Sequence, residues 1–268
     1  PRTRKYLKEK GLLDVADQIP ATGSKLMPDD IDRYLADQAG STSGEEFDQV
    51  DLPQSQIVLN YRLSRGTQVC VPVTVMSEIE WGGLETTRKQ VRDQGGPTSF
   101  AMGCWCIVQA MKNHDKFRSA MAVDGKALKV FKRINLGVAV ALPGDEMVTA
   151  VIRGANEMDQ AAFFQAFGEQ VVLARNGEDQ ADESTTITVS NIGKAGMRIG
   201  IPAIVAPAVA TLAIGETYSH PVPNDNGFDF KRMVIATLSF DHRIANGVGA
   251  ANFMNDVKSE IESFEYSG

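Results

Sequence analysis

The chain has 268 residues, of which 43% are apolar and 23% charged, with a formal net charge of −7. That size and mixture suit a globular protein with one large domain, or one large domain and a small companion. The acidic balance argues against nucleic acid as a partner, and no run of eighteen apolar residues offers a membrane span.

The first forty residues read as a small helical module over 1–37. A short basic helix, "RTRKYLKEKGLL", is followed by a loop and a second helix, "MPDDIDRYLAD". Pro28 and the acids Asp29 and Asp30 suit the start of that second helix. Residues 38–50, with Gly, Ser and acids and only Phe47 as an anchor, read as a flexible linker. From Asp51 to the end the chain is dense. "QVCVPVTVMSEIEW" alternates like a strand, and "GLETTRKQVRDQG" reads as a helix ended by Gly95-Gly96. "SFAMGCWCIVQAMKNH" is apolar all round, as a buried helix is. Two strands flank the Pro143-Gly144 turn, and a helix closes at Asn176-Gly177. Three more strands are expected in "TTITVS", "AIVAPAVATLAIG" and "KRMVIATLSF". The last helix places Ala251, Met254, Val257, Ile261 and Phe264 on one stripe. These elements make a mixed α/β domain with helices laid over a sheet.

Cys70, Cys104 and Cys106 are odd in number, and two of them lie in an apolar segment. They are read as core thiols in a reducing, cytoplasmic setting, with no disulfide and no metal site. Nothing at the start resembles a signal peptide, although the chain opens on Pro1. His242 follows a strand and precedes the glycine-rich start of a helix, a place where an imidazole can act as a base. Ser190 ends a β-run, where a hydroxyl can donate to an oxyanion or cap a turn. His114 and His220 read as surface residues.

Taken together, "TLSFDHRIANGVGAANFMNDVKSEIES", "ITVSNIGKAG", "INLGVAVALPGDEMVTAVI" and "AIVAPAVATLAIGE" resemble the catalytic domain of 2-oxo acid dehydrogenase complex E2 acyltransferases. The first forty residues resemble the peripheral-subunit-binding module of those chains. The resemblance implies a chloramphenicol acetyltransferase-like two-layer sandwich, and a homotrimer with active sites at subunit interfaces, which in some members gathers into a larger shell. It implies coenzyme A or acetyl-CoA as donor, His242 as general base, and Ser190, 242 − 190 = 52 positions earlier, as the oxyanion donor from a neighbouring subunit. Asn246 stands where the family usually has Asp, so it is expected to hold the turn before Gly247 without bringing charge. Arg62 resembles the arginine that packs against this turn.

Three features separate two uses of such a domain. No lipoyl segment with an Asp-Lys-Ala turn is found, the linker is not Ala/Pro-rich, and "ATGSKL" departs from the usual binding-module loop, which bears on whether a protein partner docks there. They favour a free-standing enzyme that acetylates a small-molecule hydroxyl, resembling the acetyltransferases of tetronate polyketide pathways. The alternative is the dihydrolipoamide acyltransferase core of a 2-oxo acid dehydrogenase complex, with a lipoyl group as acceptor. A third reading, a non-catalytic scaffold, sits poorly with a chain that keeps both His242 and Ser190.

Overall fold

The structure, a computed structural model, describes residues 2–23, 25–40 and 48–267. It divides into two compact units, Pro1–Asp51 and Leu52–Gly268.

In the first unit α1 (Arg2–Glu9), a 3-10 turn (Leu13–Gln18) and α2 (Pro28–Gly40) close around Leu7, Ile19 and Ile31. Three buried side chains are a small core, and a polar group completes it. Asp30 accepts the hydroxyl of Thr22 and the backbone N–H groups of Thr22 and Met27, at 3.3 and 3.0 Å. The Thr22 hydroxyl, then the Met27 amide, hold its carboxyl below the usual carboxylate range. The expected linker begins later than the composition suggests, because α2 continues through Gly40. Residues 41–47, Phe47 among them, lie outside the described residues, and 48–53 carry neither helix nor strand.

The second unit is built on one mixed sheet. Its strands are β1 (Pro72–Glu80), β4 (Asn135–Leu142), β5 (Glu146–Ile152), β6 (Thr185–Asn191), β7 (Ala210–Ile214), β8 (Tyr218–Asn224) and β9 (Gly227–Asp241); β2 (Ser119–Met121) and β3 (Leu128–Val130) form a separate hairpin. The order is β1-β9-β7-β6-β4-β5, with β6 parallel to both β4 and β7 and the other pairs antiparallel. The first half of β9 pairs only with β8, so the two form a hairpin arm at the end of β9 remote from Asp241.

Side chains alternate along these strands, and the two faces differ. Val138, Ile187, Val189, Leu212, Leu238 and Phe240 face the core shared with α4 (Gly82–Val91), α5 (Ser99–Met111), α6 (Gln160–Arg175) and α7 (Gly247–Glu262). The opposite face carries hydroxyls: Thr74, Ser239, Thr211 and Thr188 stand in one row across four strands, and the first two are hydrogen-bonded at 3.0 Å. Two layers, sheet and helices, are the expected architecture.

Several expectations are corrected. Residues Gln54–Val69 form a helix, α3, and "QVC" belongs to its end and the link that follows, so β1 starts only at Pro72. Strand β7 begins at Ala210, because the stretch before it turns at Pro207. His220 lies within β8, opposite Lys231. His114 is mostly buried: its Nε2 lies 2.7 Å from Asp256 and its ring meets Phe253 edge-on. On α7 the buried stripe is Ala250, Phe253, Met254, Val257 and Ile261, with Ala251 exposed.

Candidate active site

β9 delivers His242. The residues from Val234 to Asp241 alternate between the two faces of the sheet, and His242 continues the face of Leu238 and Phe240. Its ring stacks on Phe240 with centroids 5.9 Å apart and planes 27° apart. The imidazole itself is exposed, while its backbone N–H is tied to the carbonyl of Val71 at 2.8 Å. Four residues on, Asn246 is the N-cap of α7: its side-chain oxygen accepts from the Gly249 N–H at 2.9 Å. The cap satisfies one orphan helix donor and fixes where the chain turns. Gly247 opens the helix, and an added Cβ there meets nothing within 4 Å.

Ser190 sits near the end of β6, half-buried, on the hydroxyl-bearing face. The turn after it is pinned by Gly193, where a Cβ would lie 2.5 Å from the Gly215 carbonyl, and by Asn191, whose side chain accepts from Lys194 N–H at 3.1 Å.

The register shows how far apart these two groups are. Ser190 is level with Ala213 on β7, and Ala213 with Thr237 on β9. His242 stands five residues beyond Thr237, about 16 Å along the strand at ~3.3 Å per residue. The two side chains therefore mark opposite ends of the sheet. Within one chain they cannot flank one carbonyl.

Arg62 is a correction. It does not pack on the 242–247 turn of its own chain; its guanidinium donates to Asp179 at 2.6 Å and to the Ala181 carbonyl at 3.2 Å. The reason is α3, which the sequence reading missed and which carries Arg62 alongside the segment that follows α6.

The sequence reading also passed over the residues either side of His242. Asp241 is buried and paired with Arg243, and with Cys70, Arg65 and Lys129 they line an open cleft of about 570 Å³. Burial first, then the Asp241 charge, pushes the Cys70 thiol up to about 11, so it is a neutral thiol at physiological pH. Burial likewise pushes up Cys104 and Cys106. Among the described residues no group of three or more His, Cys, Asp or Glu side chains could hold a metal ion, and no helix is long and apolar enough to cross a membrane.

The second unit is thus a two-layer α/β fold with His242 at the mouth of its longest strand and Ser190 at the far end of the sheet. Residues 44–267 match the model of the family described as 2-oxoacid dehydrogenases acyltransferase (catalytic domain), and the chain belongs to that family. It is a coenzyme A-dependent acyltransferase of the E2 type. Over 301 aligned positions it is 26% identical to the dihydrolipoyllysine-residue acetyltransferase component of the pyruvate dehydrogenase complex of Staphylococcus aureus, covering 99% of this chain and 69% of that one. Two solved structures superpose with a TM-score of 0.74 at 25% identity, covering 82% of this chain and 93% of theirs. One is the cubic core of a pyruvate dehydrogenase multienzyme complex. The other is the dihydrolipoamide acetyltransferase of Azotobacter vinelandii, investigated for the roles of a serine, a histidine and an asparagine in its catalytic mechanism. The numbering of those three residues gives the same two intervals, 52 and four, as Ser190, His242 and Asn246.

Proposed function

We propose that the chain moves an acetyl group between coenzyme A and a dihydrolipoyl thiol, as the catalytic core of a 2-oxo acid dehydrogenase complex. The observation that carries this is the serine, histidine and asparagine at shared intervals, in a relative named for dihydrolipoamide. The hydroxyl-acceptor reading rests on features outside the catalytic unit, namely the binding-module loop and the composition of the linker. The Staphylococcus aureus relative spans 99% of this chain and carries the dihydrolipoyllysine name, which favours the thiol.

In this reading His242 takes the proton of the incoming thiol as its sulfur attacks the thioester carbonyl. The tetrahedral oxyanion accepts a hydrogen bond from Ser190, worth about 3 kcal/mol in a water-poor site. Collapse expels the other thiol as a thiolate, which takes the proton back from the imidazolium, and no acyl-enzyme forms. Asn246 keeps the turn in place as the cap of α7.

The separation of Ser190 from His242 supports an assembly in which each site takes its histidine from one copy and its serine from the next. A heterologous contact of that kind closes into a ring where the rotation between copies allows, and a trimer is the smallest such ring. The hairpin arm of β8 and β9 supports it too: Phe228 and Phe230 are 65% and 72% exposed, an apolar pair suited to lie against a neighbouring copy.

The test supplies acetyl-CoA with dihydrolipoamide in one reaction and with hydroxylated small molecules in others. Acetyl-dihydrolipoamide is the expected product. Release of coenzyme A only with a hydroxyl acceptor overturns the thiol reading, and no release with any acceptor overturns acyl transfer altogether.

A further inference from the structure

The backbone around His242 is held by a carboxylate to which the mechanism above gives no part. We propose that Asp241 is a positioning residue for acyl transfer, acting through His242; this rests on His242 being the base. Asp241 is 2% exposed. Its Oδ1 accepts the backbone N–H groups of Val71 at 3.2 Å and Arg243 at 3.1 Å. Arg243 Nε reaches both oxygens, at 3.0 and 3.1 Å, and Arg243 Nη2 reaches Oδ2 at 2.6 Å. The Val71 carbonyl in turn accepts the N–H of His242.

The result is a closed clasp. Residue Val71 is bonded through its N–H to Asp241 and through its carbonyl to His242, and the N–H after His242 is bonded to Asp241 again. The backbone of residue 242 is thus pinned on both sides, leaving only the side-chain torsions to aim the ring, which rests on Phe240. Because neighbouring strand residues point to opposite faces, the carboxylate lies away from the imidazole and works through the backbone. Burial by itself would push its carboxyl up; the hydrogen bonds from Arg243 and Val71 and the Arg243 charge outweigh that and hold it below the usual range. It is therefore ionised and fully engaged at neutral pH. A general base works only within hydrogen-bond reach of the proton it takes, and a displacement of ~1 Å costs up to about 100-fold in rate.

Three substitutions separate anchoring of the backbone from the ion pair. Asp241→Ala removes both, Asp241→Asn keeps an oxygen for the two N–H groups, and Arg243→Gln keeps the carboxylate without its cation. In acetyl transfer from acetyl-CoA to dihydrolipoamide, Asp241→Ala is expected to lower kcat by about 10- to 100-fold with KM for both substrates within about twofold. Asp241→Asn and Arg243→Gln are expected to recover most of kcat. Amide hydrogen exchange over residues 238–246 reads the same clasp without catalysis: protection falls in Asp241→Ala and stays in Asp241→Asn. Full kcat in Asp241→Ala with that segment opened overturns the proposal, as does a loss in Asp241→Asn equal to that in Asp241→Ala. If Asp241→Ala does not fold, Asp241→Glu replaces it, since its longer arm misplaces the same charge; wild-type kcat in Asp241→Glu overturns the proposal. Should wild type transfer acetyl to no thiol, the acyl-transfer reading fails while the exchange result still reports on the clasp.

Discussion

At one end of the sheet His242 leaves a strand whose last residue, Asp241, is buried and saturated with hydrogen bonds, and enters a helix capped by Asn246. At the other end Ser190 sits half-buried on β6, and among the described residues its hydroxyl has no hydrogen-bond partner. The contrast fits the two jobs proposed for them. A base must hold a ring nitrogen on a line to a proton, which calls for a fixed backbone and a fixed turn. A hydroxyl donor rotates about one bond to find the oxyanion, so register on a central strand and a pinned glycine turn are enough to place it.

The sharpest break of this comparison is His242→Ala, expected to lower acetyl transfer by about 10²- to 10⁴-fold in a steady-state assay if His242 is the base. Ser190→Ala follows, with a loss of about 10²- to 10³-fold in kcat, the usual effect of removing one oxyanion donor. Mixing the two variants sharpens the picture. If each site draws one group from each of two copies, co-expressed His242→Ala and Ser190→Ala chains regain about a quarter of wild-type activity by random assortment. If both groups belong to one chain, the mixture stays as inactive as its parts. Asn246→Ala comes last: loss of the cap is expected to cost about 0.5–2 kcal/mol in thermal or denaturant unfolding, whereas Asn246→Asp keeps the cap and retains activity.

Much of this was legible because the residues concerned obey local rules. The apolar run of 99–111 makes a buried helix with Thr98 as its cap, and the run ending at Asp241 makes the long strand that delivers His242. What was missed has physical causes. Helix α3 shows little apolar patterning, and its Ile57, Tyr61 and Val69 are exposed, so no stripe announced it. β8 carries Pro221 and Pro223, which argue against a strand except at a sheet edge, and an edge is where it lies. His114 sits among charged neighbours in sequence, yet folding sets it against Phe253 and Asp256, more than a hundred residues away. The positions of His242 and Ser190 were readable; their placement at opposite sheet ends needed the register. Arg62 was misplaced because its partner, Asp179, is brought to it only by the packing of the unread helix.

That one sheet carries the two groups at opposite ends of its strands has a practical corollary for anyone handling the purified protein. If each site is shared between two copies as proposed, a solitary copy, however well folded, would be silent. Activity should fade on dilution while circular dichroism stays unchanged, and return on concentration, with the midpoint reporting the strength of self-association and not the stability of the fold.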